Sequence, residues 1–214
     1  MNIYPICYFP PVPWFVAARR ESVVRLEVCQ HFRKQQYTNR AFIRVPNRVF
    51  PLTIPVERRG DKVAIRDKKI SYAENWPDNH WRTIQNAYKH APYFAYYESE
   101  IRNFYSRKPL FLPDLLTDSL HLSFKMTGLE IPFEFTEAYH PPETYHHDYR
   151  QAFDPGLHTL PPWFTAIPYV QLFEGFVPGL SILDLALNLG PESRLLLDRS
   201  YLAAGENPEG SKIP

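Results

Sequence analysis

Prolines restrict the folds open to this chain more than any other feature of its sequence. There are 22 of them among 214 residues. Because proline fixes φ and has no backbone donor, it is disfavoured in helix interiors and in the middle of sheet ladders. The helices and strands must therefore be short, and ordered irregular segments must join them. Hydrophobic residues make up 44% of the chain and aromatic residues 15%, so we expect an aromatic-rich core.

The first third of the chain has the pattern of strands. Short apolar runs are separated there by Pro, Asn, Gly and Asp, which favour turns. The runs are "IYPICYF", "SVVRLEV", "AFIRV", "VFPLTIPV" and "KVAIRDKKI". The stretches "RVPNRV" and "ERRGDKV" predict two hairpin turns in series, and hence antiparallel neighbours. One short helix is predicted at "VPWFVAARR".

Helical spacing begins after "ENWPDNHW". Pro77 suits the first position of a helix, and a second helix follows Pro92. Both helices carry apolar stripes with helical spacing, and these are Trp81, Ile84 and Tyr88 in the first and Phe94, Tyr97, Ile101 and Phe104 in the second. A third helix is predicted from Pro113 to Gly128, because glycine readily forms a left-handed C-terminal cap.

The stretch "GLSILDLALNLGPES" predicts a further helix. Ser181 and Asp184 have the spacing of a capping pair, and Asn188 with Gly190 provides the stop. Strand patterns thus precede helix patterns along the chain, which favours an α+β fold. We expect a single domain over residues 1–204, in which a mainly antiparallel N-terminal sheet is packed by C-terminal helices. Residues 205–214 are predicted to form a polar tail.

Residues 132–168 show no clean period and are rich in Pro, His and Tyr. They predict a long ordered loop with one strand at "FEFTEAY". Long loops in compact domains are usually functional or disordered, and this one is too aromatic for disorder. We therefore expect it to act as a lid over a cleft.

Charge and cysteine content exclude several classes of protein. A net charge of +1 argues against a protein that coats nucleic acid. Cys7 and Cys29 have no CxxC spacing, which predicts a reducing compartment without a disulfide framework. No run approaches the ~20 apolar residues of a membrane span, and the N-terminus lacks the pattern of a signal peptide. We expect a soluble, cytoplasmic protein.

Four stretches together resemble a known family. They are "CQHFRKQQYTNRAFI", "PLTIPV", "NW…HWRTIQNAYKHAPYFAYY" and "PYVQLFEGFVPGLSILDLALNLGPES". In order and spacing they resemble the WbqC-like protein family, in particular its Bacteroidetes-type branch, from about Tyr4 to Ser193. The chain departs from the family pattern at Gln36, where a small hydroxyl residue is usual, and at Gly179, where asparagine is usual.

The resemblance implies a role in making cell-surface polysaccharide precursors of the O-antigen type. The implied activity is that of a sugar-modifying transferase, with acyl or aminoacyl transfer to an amino sugar as one candidate chemistry. Its partners would be a small-molecule substrate, with a nucleotide sugar as one candidate, and an acyl carrier protein as a candidate donor. The alternative is a non-catalytic binding module for a carrier protein or a glycan.

Such a transferase needs a base, hydrogen-bond donors and cations, and the "CQHFRKQQYTNR" stretch supplies all three. His31 is a candidate catalytic base, since its ordinary pKa lies near working pH. Candidate substrate-binding residues are Lys34 and Arg40 for phosphate or carboxylate, Asn39 as an uncharged donor and acceptor, and Tyr37 for stacking or donation. Alternatively, Asn39 and Arg40 tie this loop to Asp184 or Glu192 as a structural network.

His80 is the rival catalytic base, because a histidine in the first turn of a helix has its proton affinity lowered. The alternative is a structural hydrogen bond at the helix start. Asp184 and Asn188 lie four apart on one helix face. They are candidates for substrate binding or for helix capping. We expect a polar cleft where the loop of residues 34–40 meets this helix.

Two further patterns are less specific. "YHHD" suggests zinc, yet adjacent histidines in an extended segment point to opposite sides and the recognised spacings are absent, so we expect no metal. Nothing in the sequence implies another cofactor. Cys7 with His31 suggests a thiol nucleophile, but a small buried cysteine is the favoured interpretation.

Overall fold

A computed structural model describes residues 1–58, 62–153 and 160–201 of the chain. The strands are β1 (Asn2–Pro5), β2 (Val24–Glu27), β3 (Arg40–Val45), β4 (Arg48–Thr53), β5 (Phe133–Phe135) and β6 (His147–Asp148). The helices are α1 (Val12–Ala18), α2 (Trp76–Tyr88), α3 (Phe94–Ser106), α4 (Leu112–Thr127), α5 (Ile182–Leu189) and α6 (Ser193–Arg199). Short 3-10 turns lie at Ile65–Asp67, Pro142–Thr144 and Gly190–Glu192.

The main sheet is parallel, so the predicted mainly antiparallel sheet is wrong. Its strand order is β5-β2-β1-β6, and each neighbouring pair runs parallel. Tyr4 of β1 lies opposite Leu26 of β2, and the chain passes between these strands through α1. The two edge strands come from residues 133–148, far along the chain. Pairing of strands so distant in sequence leaves no trace in local turn patterns, which explains the error.

The predicted hairpin at "RVPNRV" is confirmed. β3 and β4 pair antiparallel from Arg40 opposite Thr53 to Val45 opposite Arg48. Asn47 has φ 65°, which asparagine tolerates better than most residues, and the preceding Pro46 suits the first central position of a type II turn. The second predicted hairpin, at "ERRGDKV", includes residues 59–61, which lie outside the described residues.

The predicted helices are present, and α4 and α5 end at the glycines that the sequence indicates. α2 begins with Trp76 and Pro77, and α4 is followed by Gly128 with φ 65°. All residues of α1 are buried, because it crosses between strands of the sheet. Ser181 caps α5 by accepting a hydrogen bond from Leu183 N at 3.3 Å. The predicted strand in "FEFTEAY" is β5.

A contiguous hydrophobic cluster joins the sheet, the hairpin and the helices. Its largest fully buried side chains include Trp14, Tyr4, Tyr8, Tyr88 and Phe9. The C-terminal block enters this cluster directly. Val12 N donates to Leu180 O at 2.9 Å, Ser181 N to Phe42 O at 2.8 Å, and Ile182 N to Pro10 O at 2.9 Å. The described residues thus support a mixed helix and strand fold with one core, while residues 205–214 lie outside them.

None of the helices in the described part of the chain is long and apolar enough to cross a membrane.

Candidate functional site

A cleft of about 370 Å³ opens at the carboxyl edge of the parallel sheet. β1 ends at Pro5, β2 at Glu27 and β6 at Asp148, and Pro5 and Asp148 both line the cleft. In open sheets of parallel strands, ligands bind in the crevice outside the carboxyl ends of the strands. The cleft therefore occupies the position at which this architecture most often binds a small molecule.

The first wall of the cleft is the segment that follows β2. It contributes Cys29, Gln30, His31, Arg33, Gln36, Tyr37 and Thr38. Backbone bonds fix it at two places. Residues 30–32 pair with residues 63–65, where Phe32 N donates to Val63 O and Ile65 N to Gln30 O. Further on, Tyr8 N donates to Tyr37 O at 2.8 Å, so both ends of the wall are anchored to ordered segments.

The opposite wall is formed by residues 139–153, within the predicted lid. Tyr139, Pro142, Asp148, Arg150, Gln151 and Phe153 line the cleft from this side. Residues 147–148 are also strand β6, and Tyr149 N donates to Ile3 O at 2.9 Å. The segment is thus joined to the sheet as a wall of the cleft. Its action as a lid stays a prediction, and residues 154–159 lie outside the described residues.

Glu27 is a fully buried carboxylate at the end of β2. Its Oε1 accepts hydrogen bonds from Cys29 N at 2.7 Å, Gln30 N at 3.1 Å and the Thr136 hydroxyl at 2.9 Å. Oε2 faces Arg150 Nη1 at 3.2 Å. Because an unpaired buried charge is very costly, these contacts are what allows Glu27 to be buried.

Arg150 connects Glu27 to the opposite wall. Its Nε and Nη2 donate to the two oxygens of Asp148 at distances of 2.6 to 3.0 Å, and Nη1 also donates to His140 O at 3.0 Å. The rings of Tyr139 and Tyr145 lie 5.0 and 5.2 Å from the guanidinium carbon. The Arg150 side chain is 4% exposed. Despite the cost of burying the guanidinium, these carboxylates hold the Arg150 pKa above its ordinary value.

The cleft surface offers mainly uncharged hydrogen-bonding groups between aromatic rings. Gln30, Gln36 and Gln151 provide side-chain amides, and Tyr139 and Phe153 provide rings. His31 lines the cleft and is exposed. A small polar molecule with a flat or ring-shaped face therefore fits the chemistry of this cleft.

The predicted site residues of the first segment separate into two groups. His31 and Tyr37 line the cleft, and Tyr37 also packs edge-on against Phe42. Lys34, Asn39 and Arg40 are not among its lining residues. Asn39 is buried and donates from Nδ2 to Ile54 O at 3.1 Å. The buried atoms Asn39 Oδ1 and Arg40 Nε have no hydrogen-bond partner within the described part of the chain.

Asp184 and Asn188 lie in a second polar cluster, on α5. Asp184 is buried and accepts hydrogen bonds from the Tyr88 hydroxyl at 2.7 Å, the Tyr169 hydroxyl at 2.6 Å and Gln171 Nε2 at 3.0 Å. Burial raises the Asp184 pKa, and these three donors counteract the rise. Asn188 Nδ2 donates to Asp184 O at 2.7 Å. Helix α5 packs against β3, the strand that continues the first segment. The cleft described above has residues 139–153 as its second wall, and no residue of α5 lines it.

His80 is buried in an aromatic cluster away from the cleft wall. Its Nδ1 lies 3.2 Å from the Tyr8 hydroxyl, which in turn lies 2.5 Å from the Tyr105 hydroxyl. Trp76 packs edge-on against the imidazole at 5.1 Å between centroids. Burial lowers the His80 pKa to about 4, although a backbone hydrogen bond at Thr53 opposes this. His80 is therefore neutral at ordinary pH, and it does not line the cleft.

The remaining predicted features have equally definite positions. Cys7 is buried, its thiol donates to Pro5 O at 3.6 Å, and burial raises its pKa. Cys29, rather than Cys7, lines the cleft with His31. Across residues 1–58, 62–153 and 160–201, no group of three or more His, Cys, Asp or Glu side chains is arranged to hold a metal ion.

Sequence reasoning missed Glu27, Tyr139, Asp148 and Arg150 as parts of the site. Two signals were available. Glu27 is a carboxylate within the apolar run "RLEV", where a charge needs a partner. Asp148 and Arg150 are opposite charges two apart inside the segment predicted to cover the cleft. Neither signal identifies the partner, because Glu27 and Arg150 are 123 positions apart.

A family model described as the WbqC-like protein family matches residues 7–154. The match covers more than half of the chain and spans both walls of the cleft, whereas α5 with Asp184 lies beyond its end. No curated protein and no solved structure matches the chain.

Proposed function

The chain belongs to the WbqC-like protein family, which is associated with polysaccharide biosynthesis, and from this we propose that it is a sugar-modifying transferase acting on precursors of cell-surface polysaccharide. The observation that carries the proposal is the position of His31 in a polar cleft at the carboxyl edge of a parallel sheet. The acceptor is an amino sugar, carried as a nucleotide sugar. The group transferred is acyl or aminoacyl.

His31 is the base in this proposal. The acceptor binds as an ammonium group, so the His31 imidazole first takes one proton from it, and the neutral amine nitrogen then attacks the carbonyl carbon of the donor. The new bond is an amide. The bond from the carbonyl carbon to the donor's leaving group, a thiol or an alcohol, breaks, and the leaving group takes up the second proton that the nitrogen loses. Side-chain amides of Gln30, Gln36 and Gln151 supply neutral donors for the sugar and for the developing oxyanion.

His80 has a different part in this proposal. It is buried against Tyr8 and Tyr105, so its imidazole supports the core beside the sheet and has no contact with substrate. Asp184 likewise holds the segment of residues 169–177 against α5 through Tyr169 and Gln171, whereas Asn188 bonds within the helix to Asp184 O. Lys34 and Arg40 remain candidates for the outer parts of a large substrate. The reaction takes place in the cytoplasm, and an acyl carrier protein is a candidate donor.

The proposal is tested by ligand binding and by turnover. Nucleotide sugars, acyl thioesters and free amino acids are first screened by thermal shift, and binding pairs are then assayed for amide formation by mass spectrometry. His31→Gln should abolish transfer while leaving the thermal shift caused by the sugar in place. His90→Gln is the matched control, since His90 is exposed in the turn after α2. Equal turnover in both variants would remove His31 from the mechanism.

A non-catalytic binding module is the second candidate. The observation that favours it is that Asp148, a carboxylate on the cleft surface, is already held by Arg150, so few groups are free for proton transfer. A module of this kind would bind a glycan or the glycan part of a carrier. Binding of a sugar by the unaltered protein, with no product from any donor in the panel, would decide for this alternative.

A further inference from the structure

At the second wall of the cleft, formed by residues 139–153, negative charge exceeds positive charge. Two carboxylates, Glu27 and Asp148, face one guanidinium, that of Arg150. Nε, Nη1 and Nη2 of Arg150 are all engaged by protein acceptors. Arg150 is therefore not available to hold an anionic substrate. Of the three side chains, Asp148 is the most accessible, with 20% of its surface exposed.

Neighbouring charges do not cancel this excess. Arg25 forms an ion pair with Glu134, and Arg66 lies 3.6 Å from Asp67. Each pair adds a positive and a negative charge, so the balance of one negative charge remains. Tyr145 beside the network stays neutral, because burial raises its pKa. In a partly buried site such a charge acts more strongly than in bulk water.

The first wall of the cleft has the opposite sign. Arg33 lines the cleft, is exposed, and has no hydrogen bond or ion pair with any residue of the described ranges. Lys34 follows it, and Lys68 is close enough to Lys34 that the two ammonium groups repel. The Lys68 pKa is lowered first by burial and then by Lys34, and only Glu57 opposes this. Within the described residues, Arg33 thus carries a positive charge that no acidic side chain pairs.

Most of the other lining side chains are uncharged. Gln36, Thr38 and Gln151 supply hydrogen-bonding groups there, and Tyr139 supplies a ring. A ligand that contacts both walls thus matches the lining if it carries a cation for Asp148, an anion for Arg33 and hydroxyl groups for the uncharged side chains. Neither a neutral sugar nor a simple polyanion has this distribution of charge.

We propose that the cleft selects an amino sugar that carries a phosphate, with the ammonium group against Asp148 and the phosphate against Arg33. The inference rests on the proposed function and names the substrate class of the same site. Asp148 and Arg33 are binding residues that determine specificity. Glu27 and Arg150 are positioning residues, since they hold the Asp148 carboxylate in place.

Calorimetric titration with three matched probes tests the contact with Asp148 and the contact with Arg33 separately. The probes are glucosamine 1-phosphate, glucose 1-phosphate, which has a hydroxyl in place of the ammonium, and glucosamine, which lacks the phosphate. They are compared at a pH at which the sugar amine is protonated. The protein should bind glucosamine 1-phosphate at least about tenfold more tightly than either of the others, a ratio that corresponds to one well-placed charge contact.

Variants assign each preference to one residue. Asp148→Asn should remove the preference over glucose 1-phosphate and keep the preference over glucosamine. Arg33→Ala should remove the preference over glucosamine and keep the preference over glucose 1-phosphate. The controls are Asp114→Asn and Arg82→Ala, both at exposed positions on helices. If Asp148→Asn fails to fold, the ratio of the affinities for glucosamine 1-phosphate and glucose 1-phosphate in the unaltered protein still tests the preference for an ammonium group.

Equal binding of the three probes, or preferences that persist in both variants, would overturn the inference. So would the absence of binding by all three. These results are distinguishable from failure of the proposed function, which is judged by transfer to any sugar in the wider panel. A neutral sugar that is acylated, with no role for Arg33 or Asp148, would refute the charge preference and leave the transferase in place.

Discussion

Arg150 Nη1 lies 3.2 Å from Glu27 Oε2, and the two residues are 123 positions apart in the chain. Both side chains are almost fully buried, at 4% and 0% exposure. This contact joins the carboxyl end of β2 to the segment that forms the opposite wall of the cleft. This ion pair therefore joins the sheet to the second wall of the cleft.

Replacing Arg150 with methionine should destabilise the protein strongly. The change leaves Glu27 buried without its cationic partner, and removing one member of a buried ion pair costs about 3–5 kcal/mol. The free energy of unfolding, measured by urea titration, is the readout. Arg82→Met on the exposed face of α2 should change it by less than about 0.5 kcal/mol. Adding Glu27→Gln to Arg150→Met should recover part of the loss, and a double variant no more stable than Arg150→Met would contradict this.

Stability should fall as the solution is acidified, because His80 is held neutral. Burial lowers its pKa from 6.5 to about 4, so below pH 6.5 the unfolded chain binds a proton that the folded protein does not. The loss begins near pH 6.5 and is complete near pH 4, and the difference between the two pKa values corresponds to roughly 3 kcal/mol. The free energy of unfolding is measured by urea titration at several pH values between 6.5 and 4.

Two variants separate the contribution of His80 from those of other groups. His80→Gln should flatten the pH dependence, whatever its effect on absolute stability. His90→Gln should leave the slope as it is, since His90 is exposed. Asp184, whose pKa is raised by burial, is present in both variants, so its contribution to the pH dependence of stability cancels when the two slopes are compared. Identical slopes for both would show that His80 titrates normally.

Gly190 should not tolerate alanine. It has φ 56°, and a Cβ at this position would overlap the ring of Tyr93. Backbone strain and overpacking together should cost about 2–5 kcal/mol, measured by thermal and urea unfolding. Gly175→Ala is the matched control, because Gly175 also has a positive φ, 80°, but nothing within 4 Å of the added carbon. If the two variants lose equal stability, the contact with Tyr93 is unimportant.

The two cysteines should differ sharply in reactivity. Cys29 is partly exposed and lines the cleft, whereas Cys7 is 2% exposed and its pKa is raised by burial. Because the thiolate is the reactive form, iodoacetamide should alkylate Cys29 first and Cys7 only after unfolding. Peptide mass spectrometry gives the two rates. A ligand bound in the cleft should slow the reaction of Cys29, and labelling of native Cys7 at a similar rate would contradict the described burial.

Local chemistry in the sequence was enough to place most elements. Proline and glycine positions predicted where α2 begins and where α4 ends, and "RVPNRV" predicted the β3–β4 hairpin, because each depends on backbone geometry within a few residues. The same reasoning identified the segment after β2 as a candidate site. His31 and Tyr37 of that segment line the cleft.

The sheet and the second wall of the cleft were decided by the tertiary structure. The parallel pairing of β1 with β2 and β6, and of β2 with β5, joins strands up to 145 positions apart, and no local pattern encodes the direction of such a pairing. His80 and Asp184 show the same limit. Sequence spacing placed them on helices, but only packing showed that Tyr8 and Tyr105 enclose one and that Tyr88 and Tyr169 enclose the other.

The sequence by itself thus determined where the chain turns, where helices start and stop, and which segment carries hydrogen-bonding groups after a buried strand. The fold decided which of those groups share a cleft. The physical reason is that backbone preferences act over a few residues, whereas burying Glu27 requires a partner supplied by whatever segment the packed core brings beside it.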